Sequence, residues 1–266
     1  MKQFFALSLL TGFAIVPQYA FAASTQWFPI EGGEIRLVTA GGASENGRLR
    51  GALEIVLQPG WKTYWLDPGD AGVPPQIDVS NSRNVTGALF KFPAPQRFDD
   101  GYAVWAGYKN QVSLAVEFDV GDNPHIDAEI FLGVCEKICV PVQLQISLDP
   151  ARDSDLDIAA VDAAFAGLPK KPKAGFRLEG LEIVGTEMIE AKLTLPEVGD
   201  RSELFLASQD GWYFGTPVRS ADGKAFEVPL LGRPNDDSPP PEFVYTLVHG
   251  HQAVTGAVAI TGVAVK

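Results

Sequence analysis

The chain has little of what most metal- or nucleotide-dependent chemistry needs. Its 266 residues include two cysteines, two methionines and three histidines. Tetrahedral zinc takes four ligands, and a soft copper site draws on several thiolates or thioethers, so few metal centres can be assembled from this set. Basic residues are also scarce, at 21 against 33 acidic, for a net charge of −12. A surface of that sign repels phosphate backbones and argues against nucleic-acid binding. No glycine-rich phosphate loop occurs, and three scattered histidines place no Ser/His/Asp triad by sequence. After the first 22 residues no uncharged apolar run approaches the length needed to cross a bilayer, so no membrane insertion is expected of the mature chain.

The first 22 residues are different in kind. Met1-Lys2-Gln3 is a short positive start, Phe4 to Val16 is apolar and uncharged, Pro17 breaks the run, and Ala20-Phe21-Ala22 is a small-x-small cleavage pattern. Together these predict a secretory signal peptide cleaved after Ala22, and hence an oxidising compartment.

What remains reads as strand after strand. Arg48–Leu57 alternates in part and Val112–Phe118 more strictly, at the period of two that marks a half-buried strand. Gly- and Pro-bearing stretches such as Asp67-Pro68-Gly69-Asp70 and Gly121-Asp122-Asn123-Pro124 read as turns between short strands. One segment breaks the pattern. Asp153 to Gly167 opens with N-cap chemistry, carries Ala159, Ala160, Ala163 and Ala164, and stops at Gly167-Leu168-Pro169, which predicts a helix. Lys170-Lys171-Pro172-Lys173 then reads as a linker. Beyond it, strand patterns resume at 176–184, 191–195, 204–206, 226–230, 243–247 and 254–260, with Asn235–Pro241 as an exposed loop and His249-Gly250-His251 as a turn. The expectation is all-β: two immunoglobulin-like β-sandwich domains, at 23–150 and 175–266, joined by a helix and linker at 151–174.

Both cysteines fall in Cys135-Glu136-Lys137-Ile138-Cys139, between apolar strand-like flanks. In a straight strand their Cα atoms would lie about 13 Å apart, whereas a disulfide needs roughly 4.4–6.8 Å. Pairing therefore requires the chain to fold back over the three intervening residues, as a tight hairpin or a helical turn. So small a loop restrains the unfolded chain by only about 2 kcal/mol, a weak return for a structural staple. Lys137 favours a thiolate and Glu136 opposes it. From the spacing, three readings stand open: a redox-active pair, a passive structural disulfide in a binding or adaptor module, and a metal site such as Cu(I) held by two thiolates.

Other segments carry a resemblance. Gly60-Trp61-Lys62-Thr63-Tyr64-Trp65 with Asp67-Pro68-Gly69-Asp70-Ala71-Gly72-Val73-Pro74-Pro75, then Phe92–Phe98, Trp105-Ala106-Gly107-Tyr108 and Val134-Cys135-Glu136-Lys137-Ile138-Cys139-Val140-Pro141, follow in order. They resemble the exported N-terminal domains of DsbD-type protein-disulfide reductases, particularly the ScsB-like branch, over most of 23–150. The resemblance implies a periplasmic immunoglobulin-like domain whose Cys135 and Cys139 exchange disulfides without a cofactor. It implies protein-disulfide reductase-like work, taking electrons from a membrane donor and passing them to thioredoxin-like or isomerase acceptors. Full-length reductases of this type continue into membrane and thioredoxin-like domains that this sequence lacks, so the donor is expected to be a separate protein. A cap loop shields the pair in such domains; Phe98-Asp99-Asp100-Gly101-Tyr102 is the candidate, with Phe98 or Tyr102 as the shielding ring. Trp61, Tyr64, Trp65 and Tyr108 are candidates for partner docking, against the plainer expectation that aromatics in such strands pack in the core.

Overall fold

The computed structural model describes residues 24–42, 46–69, 72–99, 101, 103–150, 155–196, 201–235 and 240–261. The expected signal peptide, Asp70, Ala71, Asp100, Tyr102, the 153–154 helix cap and much of the 235–241 loop lie outside them.

The N-terminal half holds β1 (Phe28–Ile30), β2 (Gly33–Ala40), β3 (Arg48–Leu57), β4 (Lys62–Gly69), β5 (Gln76–Asp78), β6 (Arg83–Lys91), β7 (Gln96–Asp99), β8 (Val104–Lys109), β9 (Gln111–Cys135) and β10 (Cys139–Leu148). Strand β9 is the spine. Its first part pairs with β3 and β6, and its second with β10, β5 and β4, so one strand belongs to both layers. Val112, Leu114, Val116 and Phe118, then Ile126, Ala128, Ile130, Leu132 and Val134, are all buried, which is the period-two pattern on both sides of the crossing. The stretch Gly121–Pro124, expected as a turn, instead carries the strand round a corner. Asn123 there adopts φ 49°, a left-handed conformation that Asn tolerates, so the chain bends without leaving the sheet. Asp67-Pro68-Gly69 is likewise a register shift within β4, with Gly69 at φ 83°.

The helix forms where expected, as α1 (Asp155–Ala166). It lies on β2, β3 and β9, with Val161 and Ala164 against Val38, Ala52 and Ala115. Small residues on the outer face of these strands let a helix approach closely, which explains why that face is apolar too. Arg50 holds the helix from below, reaching Asp162 at 3.0 Å and lying 3.9 Å from the Phe165 ring centre.

The C-terminal half holds β11 (Arg177–Val184), β12 (Met188–Thr194), β13 (Ser202–Leu206), β14 (Tyr213–Phe214), β15 (Val218–Arg219), β16 (Ala225–Gly232), β17 (Phe243–His249), β18 (Gln252–Val258) and β19 (Ile260–Thr261). They form one sheet around β11, β12 and β16 and another of β13, β17 and β18. Side chains from both, among them Leu181, Ile189, Val228, Leu204, Phe243 and Leu247, share one core, giving the second sandwich. The 249–251 turn joins β17 to β18 as expected. The 170–173 segment is held rather than free, since Lys170 exchanges backbone hydrogen bonds with Ala253 and Thr255 beside β18.

The two sandwiches share buried surface. Along β13 and the residue after it, Leu204 and Leu206 face their own core while Phe205 and Ala207 join the N-terminal one. That alternation makes β13 apolar on both faces, a pattern the sequence shows only as a continuous apolar run.

Candidate functional site

The fold-back that the Cys135–Cys139 spacing requires is the β9–β10 hairpin. Cys135 and Cys139 are directly opposed partners at its loop end, with Cα atoms 4.2 Å apart, and they form a disulfide. Glu136, Lys137 and Ile138 make the tip, all exposed, Ile138 at 78%. The two cysteines differ in access: Cys135 is 1% exposed, whereas Cys139 is an exposed residue.

Strand β4 supplies what lies beneath. Lys62 is the cross-strand partner of Cys135, so Lys62 and, two residues on, Tyr64 project to the face of the cysteine. The Tyr64 hydroxyl reaches the Cys135 sulfur at 2.7 Å and lies 3.1 Å from that of Cys139. Two glycines make room for its ring. A Cβ on Gly72 would sit 2.4 Å from the ring, and one on Gly133 would sit 3.3 Å from it, so side chains there would displace the tyrosine. Gly72 also adopts φ 134°, where side chains are strained.

Beside the pair lies an aromatic cluster. Trp105 and Phe98, register partners on β8 and β7, stack with ring centres 4.2 Å apart, and Tyr64 meets Trp105 edge-on at 6.0 Å. Tyr64, Trp105 and Cys135 form one buried cluster with Phe98 packed against it. Lys62 Nζ lies 4.1 Å from the Trp105 ring centre and Lys109 Nζ 4.1 Å from that of Phe98. Such cations are held on ring faces by the aromatic quadrupole. At the end of β7, the Asp99 carboxylate accepts the Gly101 backbone N–H at 2.8 Å.

The docking candidates are placed elsewhere than a shared surface. Trp65 and Tyr108 are buried: Trp65 lies edge-on to Phe205 across the contact between sandwiches, and the Tyr108 hydroxyl donates to the Pro93 carbonyl at 2.8 Å. Burial raises the Tyr108 pKa well above the ordinary tyrosine range. Trp61 is half-buried over Gly32, and Tyr64 lies under the disulfide. The exposed apolar side chain beside Cys139 is Ile138 instead. Lys62, Lys109 and Ile138 were missed because ring-stacking cations and loop exposure leave no mark on spacing. Trp105 had a signal, its place in the Trp-Ala-Gly-Tyr segment.

A second cluster sits about 30 Å along the hairpin from the cysteines. The Ser147 hydroxyl lies 3.1 Å from His125 Nε2, Asp149 contacts Nδ1, and Asp127 approaches Nε2 at 3.4 Å. With carboxylates at both ring nitrogens, this is a clasp between β9 and β10 in which Asp127 competes with Ser147 for Nε2. No group of three or more His, Cys, Asp or Glu side chains fit to hold a metal occurs among the described residues.

Residues 36–150, from β2 through the end of the hairpin, match the family model described as thiol:disulfide interchange protein DsbD, N-terminal. The chain contains a DsbD N-terminal domain. The fold of this DsbD-type domain and of the sandwich after it together resemble the crystal structure of the N-terminal periplasmic domain of ScsB from Proteus mirabilis. That likeness has a TM-score of 0.73 at 21% identity and covers 90% of this chain and 99% of the other. No curated protein matches the sequence. Parts of the motif segments of the DsbD-type domain meet at one place: Lys62, Tyr64 and Gly72 lie around the disulfide, Trp105 and Phe98 belong to the same cluster, and Val134–Pro141 carries the pair.

Proposed function

We propose that this is a periplasmic thiol–disulfide exchange protein that passes reducing equivalents through Cys135 and Cys139 to thioredoxin-like or isomerase-type proteins. The observation that supports it is the asymmetry of the pair: an exposed Cys139, a buried Cys135, and one hydroxyl within reach of both sulfurs. In the reduced protein the Cys139 thiolate attacks one sulfur of the partner's disulfide, and the other leaves as a thiolate. Cys135 then attacks the Cys139 sulfur, which closes the intramolecular disulfide and releases the partner's second thiolate. The partner gains two electrons and this protein loses two, to be restored by a membrane electron donor. Tyr64 donates a hydrogen bond to whichever sulfur carries charge, and Phe98 with Trp105 limits access to correctly seated thiols.

Within this reading the redox domain spans 23–150, 151–174 is helix and linker, and 175–266 is a second domain, with export directed by residues 1–22. Single-cysteine variants test it. Cys135→Ser, which leaves the exposed thiol, is expected to form a stable mixed disulfide with an oxidised thioredoxin-like protein, and Cys139→Ser to form far less. Capture by neither variant leaves a structural staple.

A further inference from the structure

The aromatic cluster beside the disulfide is built on strands that the second sandwich grips. Strand β7 carries Phe98, and the adjacent Arg97 crosses to β13, where its Nη2 donates to the Leu204 carbonyl at 2.7 Å and its guanidinium lies 4.6 Å from the Phe205 ring centre. Strand β4 carries Tyr64, and its Trp65 meets Phe205 edge-on at 5.8 Å while Asp67 accepts the Ser208 backbone N–H at 2.6 Å. The residues next to two of the rings in the cysteine cluster, Phe98 and Tyr64, are therefore anchored in the C-terminal sandwich. Successive strand side chains point to opposite faces, so Arg97 and Trp65 face the second sandwich because Phe98 and Tyr64 face the disulfide. Past this anchor, Asp99 and Val104 border a cleft of about 530 Å³ whose far wall includes Arg201, Glu203 and Val218. On β7 the contact is thus made by Arg97, with open space just beyond it.

We infer that the C-terminal sandwich sets how tightly the aromatic cover sits on Cys135–Cys139, with Arg97 as the positioning residue that transmits its hold to Phe98. The inference rests on the exchange reading above, and specifically on Phe98 limiting access to the pair. Freed from Leu204 and Phe205, the end of β7 samples positions in which Phe98 leaves Trp105, and the sulfurs become open to small thiols. Arg97 touches no sulfur and takes no part in bond making.

The test uses the full mature chain and dithiothreitol as the reductant. The rate of reduction of Cys135–Cys139 is read by quenching with an alkylating agent, and Tm is followed in parallel. Arg97→Ala is expected to speed reduction about tenfold, the size of effect that losing one charge-assisted hydrogen bond gives. Phe98→Ala should be at least as fast, and Arg97→Lys should recover part of the protection by donating to the same carbonyl. If Arg97→Ala melts near the assay temperature, Arg97→Met, which keeps the stem on Phe205 without the guanidinium, carries the test with the same expected acceleration. A fast Phe98→Ala beside an Arg97 variant at the parent rate overturns the coupling and leaves the cover intact. Parent rates in both overturn the cover itself, and the inference with it.

Discussion

Replacing Tyr64 by phenylalanine removes one oxygen atom from beneath the disulfide and little else. The ring stays in the slot that Gly72 and Gly133 leave for it, and its edge contact with Trp105 survives. What is lost is a hydroxyl 2.7 Å from the Cys135 sulfur and 3.1 Å from that of Cys139. Disulfide sulfur is a weak acceptor, so the loss falls mainly on the reduced protein, where the acceptor is a thiolate. A hydrogen bond to a charged group contributes about 1.5–3 kcal/mol. Taking the lower figure, because the site is partly open, the thiolate pKa should rise by about one unit. The reduction potential should fall by up to about 30 mV, since removing stabilisation from the reduced form makes the disulfide harder to reduce. The first quantity is read from thiolate absorbance against pH in the reduced protein, and the second from equilibration with glutathione. A thiolate pKa within about 0.3 unit of the parent, together with an unchanged potential, would refute the assignment of Tyr64 to the sulfurs.

Other substitutions probe the surroundings. Gly72→Ala forces a methyl into the Tyr64 ring at a strained φ; a loss of about 2–3 kcal/mol in urea unfolding is expected, along with the Tyr64→Phe shift in potential. Ile138→Ser removes an exposed side chain that nothing in the fold requires, so stability and potential should hold while exchange with a thioredoxin-like partner slows several-fold, as when an apolar contact is lost from a docking patch. Tyr108 has a folded pKa raised by burial, so its contribution is complete below the ordinary tyrosine pKa of about 10 and is lost as pH rises past it. Tyr108→Phe should cost about 1 kcal/mol at neutral pH through the Pro93 carbonyl left without its donor, yet lose less stability than the parent between pH 9 and roughly 11, where the Tyr108 phenol ionises in the unfolded chain but not in the folded one.

The strands were legible wherever one face is wet. Val112–Phe118 shows its alternation in sequence and has it in β9, and the Asp153–Gly167 helix fell within two residues of α1. Legibility failed where tertiary structure changes the meaning of a residue. Gly121–Pro124 has turn composition, but β9 must cross between layers, and a bend with Asn123 left-handed achieves that without ending the strand. Trp65 and Tyr108 look like docking aromatics until β13 is seen to cover the former with Phe205 and Pro93 to receive the hydroxyl of the latter. The cysteine pair was legible as a fold-back, since only a reversal brings the sulfurs together over three residues. Its hydroxyl neighbour was not, because the direction of Tyr64 is decided by glycines 8 and 69 residues away. His125 and Asp149 are joined only by the β9–β10 register, which no local pattern states.

The most direct test of the account is a redox titration of Cys135–Cys139 in the mature protein, with thiols read by alkylation and mass shift. A working exchange pair should show a midpoint between roughly −180 and −270 mV, where exchange proteins operate. A midpoint below about −300 mV, or a disulfide that resists reduction until the protein unfolds, would contradict the account and leave the pair as a staple.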